Sequence, residues 1–269
     1  MKYMHFKASC SYAALAILLE FQGVDTEDTA IALEMDLPRL FAEENGAFLS
    51  GPMLQGEKWF NLWCLPRGYT MSDTIVKREA LCKTLKETGP SMLGIQTPYG
   101  KHAVVFSEYD GAFHFLNPTY ESSGEKTELL INEDELLNLV DDELMLGVIR
   151  PSHPQKVNMV PLYDSSIQAI QRNLAAIICF SSVEHTQEEY FAVMNTLFRP
   201  LLLDGISMLE LAGEKNLAEE LRSRQSELMS FLRDDCKGKL SDTLSISHLQ
   251  KAVRKYVSFI RAIKAEQRN

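Results

Sequence analysis

The pattern of hydrophobic and polar residues changes near residue 150, and the two parts of the chain predict different secondary structure. From Cys10 onward, apolar positions recur at helical spacing and alanine is abundant, so we expect a helix that begins near Cys10 and ends at Gly23. Further helices are expected over 25–35, 77–88 and 133–139. Short apolar runs bounded by turn residues predict strands over 91–97, 102–109, 112–116, 128–131 and 145–149.

Turn signals concentrate in two segments of this first part. Residues 46–70 hold six glycines and prolines, and we expect a long irregular segment anchored by the aromatic residues Phe48, Trp59, Phe60 and Trp63. Asp110-Gly111 predicts a two-residue type I′ hairpin turn, in which both residues need a positive φ. Such a turn pairs Tyr109 with Ala112, so that the numbers of paired residues sum to 221.

Strand signals disappear after a short proline-containing segment, Arg150-Pro151-Ser152-His153-Pro154. Beyond it, the apolar spacing predicts helices over 162–180, 186–212, 214–234 and 245–266, with Pro200 kinking or breaking the second of them. The predicted fold is therefore an α+β domain over residues 1–150 and an all-α helical bundle over residues 151–269.

Composition and charge narrow the classes of function. The 269 residues are 45% hydrophobic and carry a formal net charge of -10, which argues against nucleic acid as the main partner. The acidity lies in the first part, where residues 1–150 carry 12 basic against 23 acidic side chains. We find no apolar run long enough to span a membrane and predict no signal peptide at the N-terminus.

The five cysteines are an odd number with wide spacing and no CxxC pair, which disfavours a disulfide framework or a zinc site and favours the cytoplasm. Histidine and carboxylate spacings show no metal site, and phosphate-binding glycine loops are missing from the sequence, so we expect no cofactor. Of the cysteines, Cys10 has a special setting. It opens an alanine-rich helix, and a helix N-terminus favours the thiolate form. The alternative for any lone cysteine is a buried structural role.

A nucleophilic cysteine needs an imidazole beside it and a third residue to orient that imidazole. In the expected hairpin register, His102 faces Thr119, and Asn117 is its diagonal neighbour on the same face. That face continues as Val104, Phe106, Phe113 and Phe115, which we expect to form an apolar wall. The alternative is that His102 merely ends a strand.

These segments resemble those of the papain-like cysteine peptidases. The matching stretches are Ser9-Cys10-Ser11-Tyr12-Ala13-Ala14-Leu15, Lys101-His102-Ala103-Val104-Val105-Phe106 and Phe115-Leu116-Asn117-Pro118. Within the superfamily, the chain looks most like the bacteriocin-leader peptidase branch, and it is similar to the butirosin-pathway acyltransferases, which continue into a second domain. The resemblance covers about residues 1–150. It implies a papain-like domain in which Cys10 is the nucleophile, His102 the general base and acid, and Asn117 the orienting residue.

Two positions depart from the family. Met4 stands where a glutamine usually supplies a donor to the oxyanion, and Ser11 stands where the closest branch often has glycine. An oxyanion hole would then use the backbone N–H of Cys10 together with a donor from His5 or Gln55. The loss of one such donor typically costs about 2.7–4 kcal/mol of transition-state stabilisation.

The leading hypothesis is thus a cysteine-dependent acyl-transfer enzyme, a hydrolase or an acyltransferase, that acts on a peptide, an amide or an acyl thioester. The alternative is a papain-like binding protein with impaired catalysis, in which the helical part mediates assembly. The apolar faces of the helical part predict a bundle core, and they leave a homodimer open. The sequence distinguishes neither the substrate nor hydrolysis from transfer.

Overall fold

The structure is a computed structural model that describes residues 2–98 and 100–266. Within them the chain forms ten α-helices and eight β-strands. The helices are α1 (Cys10–Glu20), α2 (Asp28–Glu34), α3 (Glu57–Cys64), α4 (Arg78–Thr88), α5 (Glu133–Asn138), α6 (Val160–Ser181), α7 (Gln187–Val193), α8 (Gly205–Leu211), α9 (Lys215–Arg233) and α10 (Ile246–Glu266). The strands are β1 (Phe41–Glu44), β2 (Ala47–Ser50), β3 (Tyr69–Lys77), β4 (Ser91–Thr97), β5 (Gly100–Tyr109), β6 (Phe113–Leu116), β7 (Glu128–Ile131) and β8 (Glu143–Pro151).

The chain divides into two compact units. The first consists of the residues up to Met35 together with Gln55–Val157, and the second consists of Asp36–Leu54 together with the chain from Asn158 onward. Residues 36–54 thus belong with the helical segment and not with the residues on either side of them. Their polar groups explain this grouping, because Ser166 of α6 bonds the backbone of Phe41, and Tyr256 of α10 donates to the carbonyl of Pro38 at 2.9 Å.

The first unit is an α+β structure around a six-stranded antiparallel sheet. The strand order is β3-β8-β4-β5-β6-β7. One core cluster joins alternate residues of the sheet to the apolar faces of α4 and α5, with Leu81, Leu85 and Leu136 among its fully buried members. The residues of α1 from Ser11 to Leu19 are all buried, so this helix is enclosed within the unit.

The second unit is helical apart from the β1–β2 hairpin. A continuous helical segment runs from α7 to α8 and passes through two π-helical turns, Met194–Phe198 and Pro200–Asp204. The helix interior around Pro200 lacks one amide donor, and wider π turns are a usual accommodation of such a defect. Among the described residues, none of the helices combines the length and the apolar character needed to cross a membrane.

The helices and strands predicted from periodicity agree with the structure at most positions. The expected helix at Cys10 is α1, the strands predicted after Pro90 are β4 to β8, and the four C-terminal helices match the segments from α6 to α10, except that 267–269 of the bundle domain lie outside the described residues. The prediction for 46–70 is wrong. This stretch contains β2 and the amphipathic helix α3, which buries Trp59, Phe60 and Trp63 on one side. Strand β3 was not predicted.

The hairpin between β5 and β6 also differs from the prediction. Tyr109 pairs with Phe113 and not with Ala112, and of the two expected turn residues only Gly111 has a positive φ. A bulge then follows between Phe106 and Glu108, so that Phe106 pairs with Phe115. The extra turn residue and the bulge cancel, because each shifts the register by one residue. Beyond the bulge the register is the one that the sequence predicts.

Candidate active site

The candidate nucleophile, Cys10, is the first residue of α1. The turn before it is held by Asp28, whose fully buried carboxylate accepts the Ser9 hydroxyl at 2.6 Å and the backbone N–H of His5 at 2.8 Å. Because the Ser9 hydroxyl is engaged in this way, Ser9 makes no side-chain cap on α1. Ala8 has a φ of 60°, a left-handed conformation that is uncommon for a residue other than glycine. The start of α1 is therefore shaped by contacts from α2.

His102 lies near the start of β5 and contacts both other members of the predicted triad. Its Nε2 is 2.7 Å from Oδ1 of Asn117, and the amide nitrogen of Asn117 donates to the carbonyl of Lys126 at 2.7 Å. Since an amide oxygen can only accept, Nε2 carries a hydrogen and Nδ1 is the ring nitrogen available to the Cys10 thiol. The structure thus places Cys10 beside His102, whose Nε2 is bonded to Asn117.

The environment shifts the pKa values of this pair toward one another. Burial opposes ionisation of the Cys10 thiol, but hydrogen bonds from His102 and from the backbone of Ala103, with the charge of His102, lower the pKa of Cys10 below its ordinary value. For His102, burial acts against the charged form, yet contact with Cys10, the hydrogen bond to Asn117 and the charge of Glu125 raise its pKa. A thiolate facing an imidazolium is the form that these shifts favour.

The remaining cysteines lack this setting. Burial raises the pKa of Cys64 to about 12, and burial also raises the pKa values of Cys82 and Cys236. Cys179 is exposed on α6. All five cysteines are free thiols, but the pKa is lowered at Cys10 and raised at the three buried ones. The lowered pKa thus distinguishes Cys10 from the others, and its causes are the contacts with His102, Ala103 and Ser11.

A cavity of about 350 Å³ opens beside Cys10 and His102. Small residues form part of its wall, and the paired residues Gly94 and Ala103 on β4 and β5 both line it. The rest of the lining is partly apolar and partly polar; the other residues are Ser11, Gln55, Gly56, Phe60, Asp73, Met92, Leu93, Lys101, Met145 and Gly147. A substrate group therefore has room next to the thiol.

The expectation that an apolar wall continues from His102 along the cavity is wrong. Val104, Phe106, Phe113 and Phe115 are not among the residues lining the cavity. They are buried in the core cluster that joins the sheet to α4 and α5. On β5 the residues from Lys101 to Ala103 line the cavity, and Val104, the next residue, belongs to the core.

The two oxyanion candidates lie in different places. Gln55 lines the cavity beside Cys10. His5 does not line it; the ring of His5 bonds the buried carboxylate of Asp28 through Nδ1, at 2.8 Å. Met4, at the position of the usual glutamine, donates its backbone N–H to the carbonyl of Thr119 at 3.0 Å. Of the two candidates, only Gln55 is therefore near the reacting groups.

Sequence reasoning did not single out Asp28, Asp73 or Glu125. Asp28 and Asp73 are remote in sequence from Cys10, and Glu125 acts on His102 through its charge from a loop. A buried carboxylate has no local signature, since its partners are supplied by other elements. One feature of the sequence indicated Asp28: it lies in the first turn of the predicted helix that follows the Cys10 helix.

Across residues 2–98 and 100–266, no group of three or more histidine, cysteine or acidic side chains is arranged to hold a metal ion. In comparisons with known proteins, no family model and no curated protein matches the chain. Only the geometry and chemistry of the site therefore bear on the function.

Proposed function

We propose that this protein is a cysteine-dependent acyl-transfer enzyme that works through a thioester acyl-enzyme on Cys10. The observation that carries the proposal is the placement of Cys10 beside His102, with Asn117 bonded to the Nε2 side of the imidazole, at the start of α1 and beside a cavity. Lone cysteines are usually inert when buried. A half-buried thiol with a lowered pKa, an imidazole partner and an orienting amide is the setting of a nucleophile.

The reaction needs two acyl-transfer steps. The Cys10 thiolate attacks the substrate carbonyl carbon, a C–S bond forms, and the carbonyl oxygen takes up the negative charge. The tetrahedral intermediate then collapses, the bond to the leaving group breaks, and that group takes the proton held by His102. In the second step, His102 removes a proton from water or an amine, which attacks the thioester and releases the Cys10 thiolate. Asn117 keeps Nδ1 of His102 directed at the sulfur throughout.

The oxyanion of each tetrahedral intermediate requires hydrogen-bond donors. The backbone N–H at the start of α1 is one donor, because the first N–H groups of a helix have no partner within the helix. The side-chain amide of Gln55, which lines the same cavity, is the candidate for the second donor. This assignment replaces the donor that the resemblance places at position 4 with one from the segment that precedes α3.

The same residues support a papain-like domain as the structural class of the first unit. Cysteine at a helix start, histidine on a strand and asparagine after the next strand follow one another here in the order that the resemblance implies. Peptides, amides and acyl thioesters all present a carbonyl carbon that a thiolate attacks, and they are the substrates we propose. The free thiols favour a reducing compartment such as the cytoplasm.

Labelling with an electrophilic thiol probe tests this proposal. We expect Cys10 to react faster than any other cysteine at neutral pH, and we expect Cys10→Ala to remove both that labelling and any turnover of model thioesters. Cys179→Ala is the matched control, because Cys179 is exposed and lies outside the cavity. A Cys10→Ala protein with the turnover of the unchanged protein would refute the proposal.

Met4 favours a second candidate, a papain-like protein that binds its partner without turning it over. Its thioether offers no N–H or O–H donor at the position where the family has an amide. Titration of the Cys10 thiol separates the two candidates. A binding protein predicts an ordinary thiol pKa, whereas the lowered pKa of Cys10 favours the enzyme.

A further inference from the structure

One carboxylate that lines the cavity beside Cys10 pairs with no lysine or arginine among the described residues. Asp73 lies on β3 and lines the cavity, and its Oδ2 accepts the backbone N–H of Glu57 at 2.8 Å. In the described part of the chain, no lysine or arginine forms an ion pair with Asp73. Lys101, which lines the same cavity, is paired with Asp141, and His102 faces Cys10.

Two glycines make room for this carboxylate. Asp73 pairs with Gly147 of β8, and a Cβ atom at position 147 would be 3.1 Å from Oδ1 of Asp73. On the other side, a Cβ atom at Gly56 would be 3.2 Å from Oδ2. Both distances are below ordinary van der Waals contact. Larger residues at these positions would crowd the Asp73 carboxylate, so both glycines help to keep it in the cavity wall.

The surroundings of the Asp73 carboxylate disfavour its charged form on balance. Burial raises the pKa of Asp73, and the nearby charge of Glu57 raises it further, although the N–H of Glu57 acts against both effects. Half-buried carboxylates without a cationic partner are costly, and a cation in the cavity would offset that cost. Around it, Phe60, Met92 and Met145 supply apolar surface.

We propose that the cavity beside Cys10 accepts an aminoalkyl group of the substrate, with its protonated amine bound by Asp73 and its alkyl chain against the methionines. This inference deepens the acyl-transfer function proposed above and rests on it for the identity of the reacting carbonyl. Asp73 is then the residue that determines specificity for a cationic substrate. Neutral and anionic analogues of equal size would occupy the same cavity less well, because they leave the carboxylate without a partner.

Charged methanethiosulfonate reagents test this inference without any need for turnover. The Cys10 thiolate attacks the reagent, forms a mixed disulfide and releases methanesulfinate, so the rate is measured without a substrate. The reagents are the 2-aminoethyl cation and the 2-sulfonatoethyl anion, and each rate is divided by the rate of the same reagent with free 2-mercaptoethanol. A Cys179→Ser background removes the exposed competing thiol.

We expect the normalised ratio of cation to anion rates to exceed one and to fall about fivefold to tenfold in Asp73→Asn, the effect of removing one unit charge near the thiol. The side-chain amide oxygen of this variant can still accept the N–H of Glu57, which protects the fold. Asp73→Glu should keep the ratio. Asp134→Asn is the matched control, since Asp134 is an exposed acid on α5 outside the cavity.

A ratio in Asp73→Asn within twofold of the unchanged protein would overturn the inference, as would an equal fall in Asp134→Asn. Failure of the acyl-transfer function has a different signature. In that case Cys10 reacts no faster than an ordinary thiol with neutral iodoacetamide, while the dependence of the charge ratio on Asp73 is still measured. If Asp73→Asn fails to fold, Asp73→Ser gives the same comparison with a smaller neutral side chain.

Discussion

At the residue scale, the Cys10 thiol is subject to two opposing influences. Burial disfavours its thiolate, and the hydrogen bonds and charge of His102 favour it. His102 responds in the opposite sense, since the contact with Cys10 raises its pKa against the effect of burial. The two pKa values therefore move toward each other, and transfer of the proton from sulfur to imidazole costs less free energy than it would between the separated groups in water.

The pH dependence of Cys10 alkylation follows from this coupling. In the unchanged protein, the rate should rise with pH at a lower midpoint than for a free thiol. In His102→Gln the burial of the thiol remains while the hydrogen bond and charge of His102 are lost, so the midpoint should move to higher pH than in the unchanged protein. The rates of alkylation by iodoacetamide between pH 5 and 10 measure this midpoint in both proteins. His114→Gln, on the hairpin away from the cavity, should leave the midpoint unchanged, and an unmoved midpoint in His102→Gln would contradict the coupling.

The sequence alone identifies a functional residue only where the residues next to it in the chain indicate its role. Cys10 has one, because small residues and a helix start surround it in the chain. His102 and Asn117 needed the additional step of a hairpin register. Gln55 was one of two oxyanion candidates, and the choice between Gln55 and His5 needed the structure. Asp73 has no local sign, since the cavity that it shares with Cys10 is assembled from segments distant in sequence.

At the element scale, α1 depends on α2 for the geometry of its first turn. Asp28 accepts hydrogen bonds from Ser9 and from the backbone of His5, and its own carboxylate is fully buried. The left-handed φ of Ala8 lies within this turn. Such a conformation persists where surrounding contacts hold it, and Asp28 supplies them.

Substitution of Asp28 tests the stability of this turn. Asp28→Asn keeps one acceptor and removes the charge, so we expect the free energy of unfolding to fall by about 2 kcal/mol. Urea denaturation followed by tryptophan fluorescence reports on the first unit, because Trp59 and Trp63 both lie in α3. Asp25→Asn is the control: Asp25 forms an exposed ion pair with Lys2, and its loss should matter far less. Equal effects of the two substitutions would argue against a special role for Asp28.

Strand β4 contributes a second element-scale feature, the open space at Gly94. A Cβ atom at this position would meet nothing within 4 Å, and Gly94 lines the cavity. The residue pairs with Ala103 in regular antiparallel sheet, where branched side chains are well tolerated. A side chain added here should fill the cavity without disturbing the strand.

Gly94→Val should therefore slow bulky electrophiles at Cys10 more than small ones. We expect the rate of N-phenylmaleimide relative to iodoacetamide to fall about tenfold, which corresponds to roughly 1.4 kcal/mol of added activation free energy. Gly94→Ala, with one methyl group, should show a smaller change. Unchanged relative rates in Gly94→Val would mean that bulky reagents reach Cys10 by another route.

The β5–β6 hairpin explains why an inaccurate turn prediction led to a useful register. Asp110-Gly111 was expected to close a two-residue turn, and the observed connection holds one residue more. The bulge between Phe106 and Glu108 restores the expected register before the strands reach His102. No turn rule predicts such a bulge, because it depends on how both strands pack against the rest of the sheet.

At the scale of the whole molecule, the chain forms two units that are not two consecutive segments. The change of composition near residue 150 coincides with the end of β8, the last strand of the sheet. It gives no sign that 36–54 belong with the helices from Asn158 onward. That grouping depends on long-range bonds such as those of Ser166 and Tyr256, which have no counterpart in local periodicity.

A homodimer through the helical part stays a prediction. The second unit carries exposed apolar side chains at Val183, Phe191 and Met229, the type of residue that a subunit interface would bury. Size-exclusion chromatography with light scattering should then give twice the chain mass of 30.4 kDa. Phe191→Lys should shift the population toward monomer. A single species at the chain mass, at every concentration tested, would remove the dimer.

The sequence by itself determined the α+β class with its helical C-terminal part, the start of α1 at Cys10, and the sheet strands that carry His102 and lead to Asn117. These follow from periodicity, capping and turn residues, all of which are local. Only the tertiary structure decided which face of the sheet forms the cavity, that Gln55 and not His5 lies in it, and that Asp73 lies beside it without a cation. Those features depend on which distant segments of the chain pack together, and the local sequence does not determine that packing.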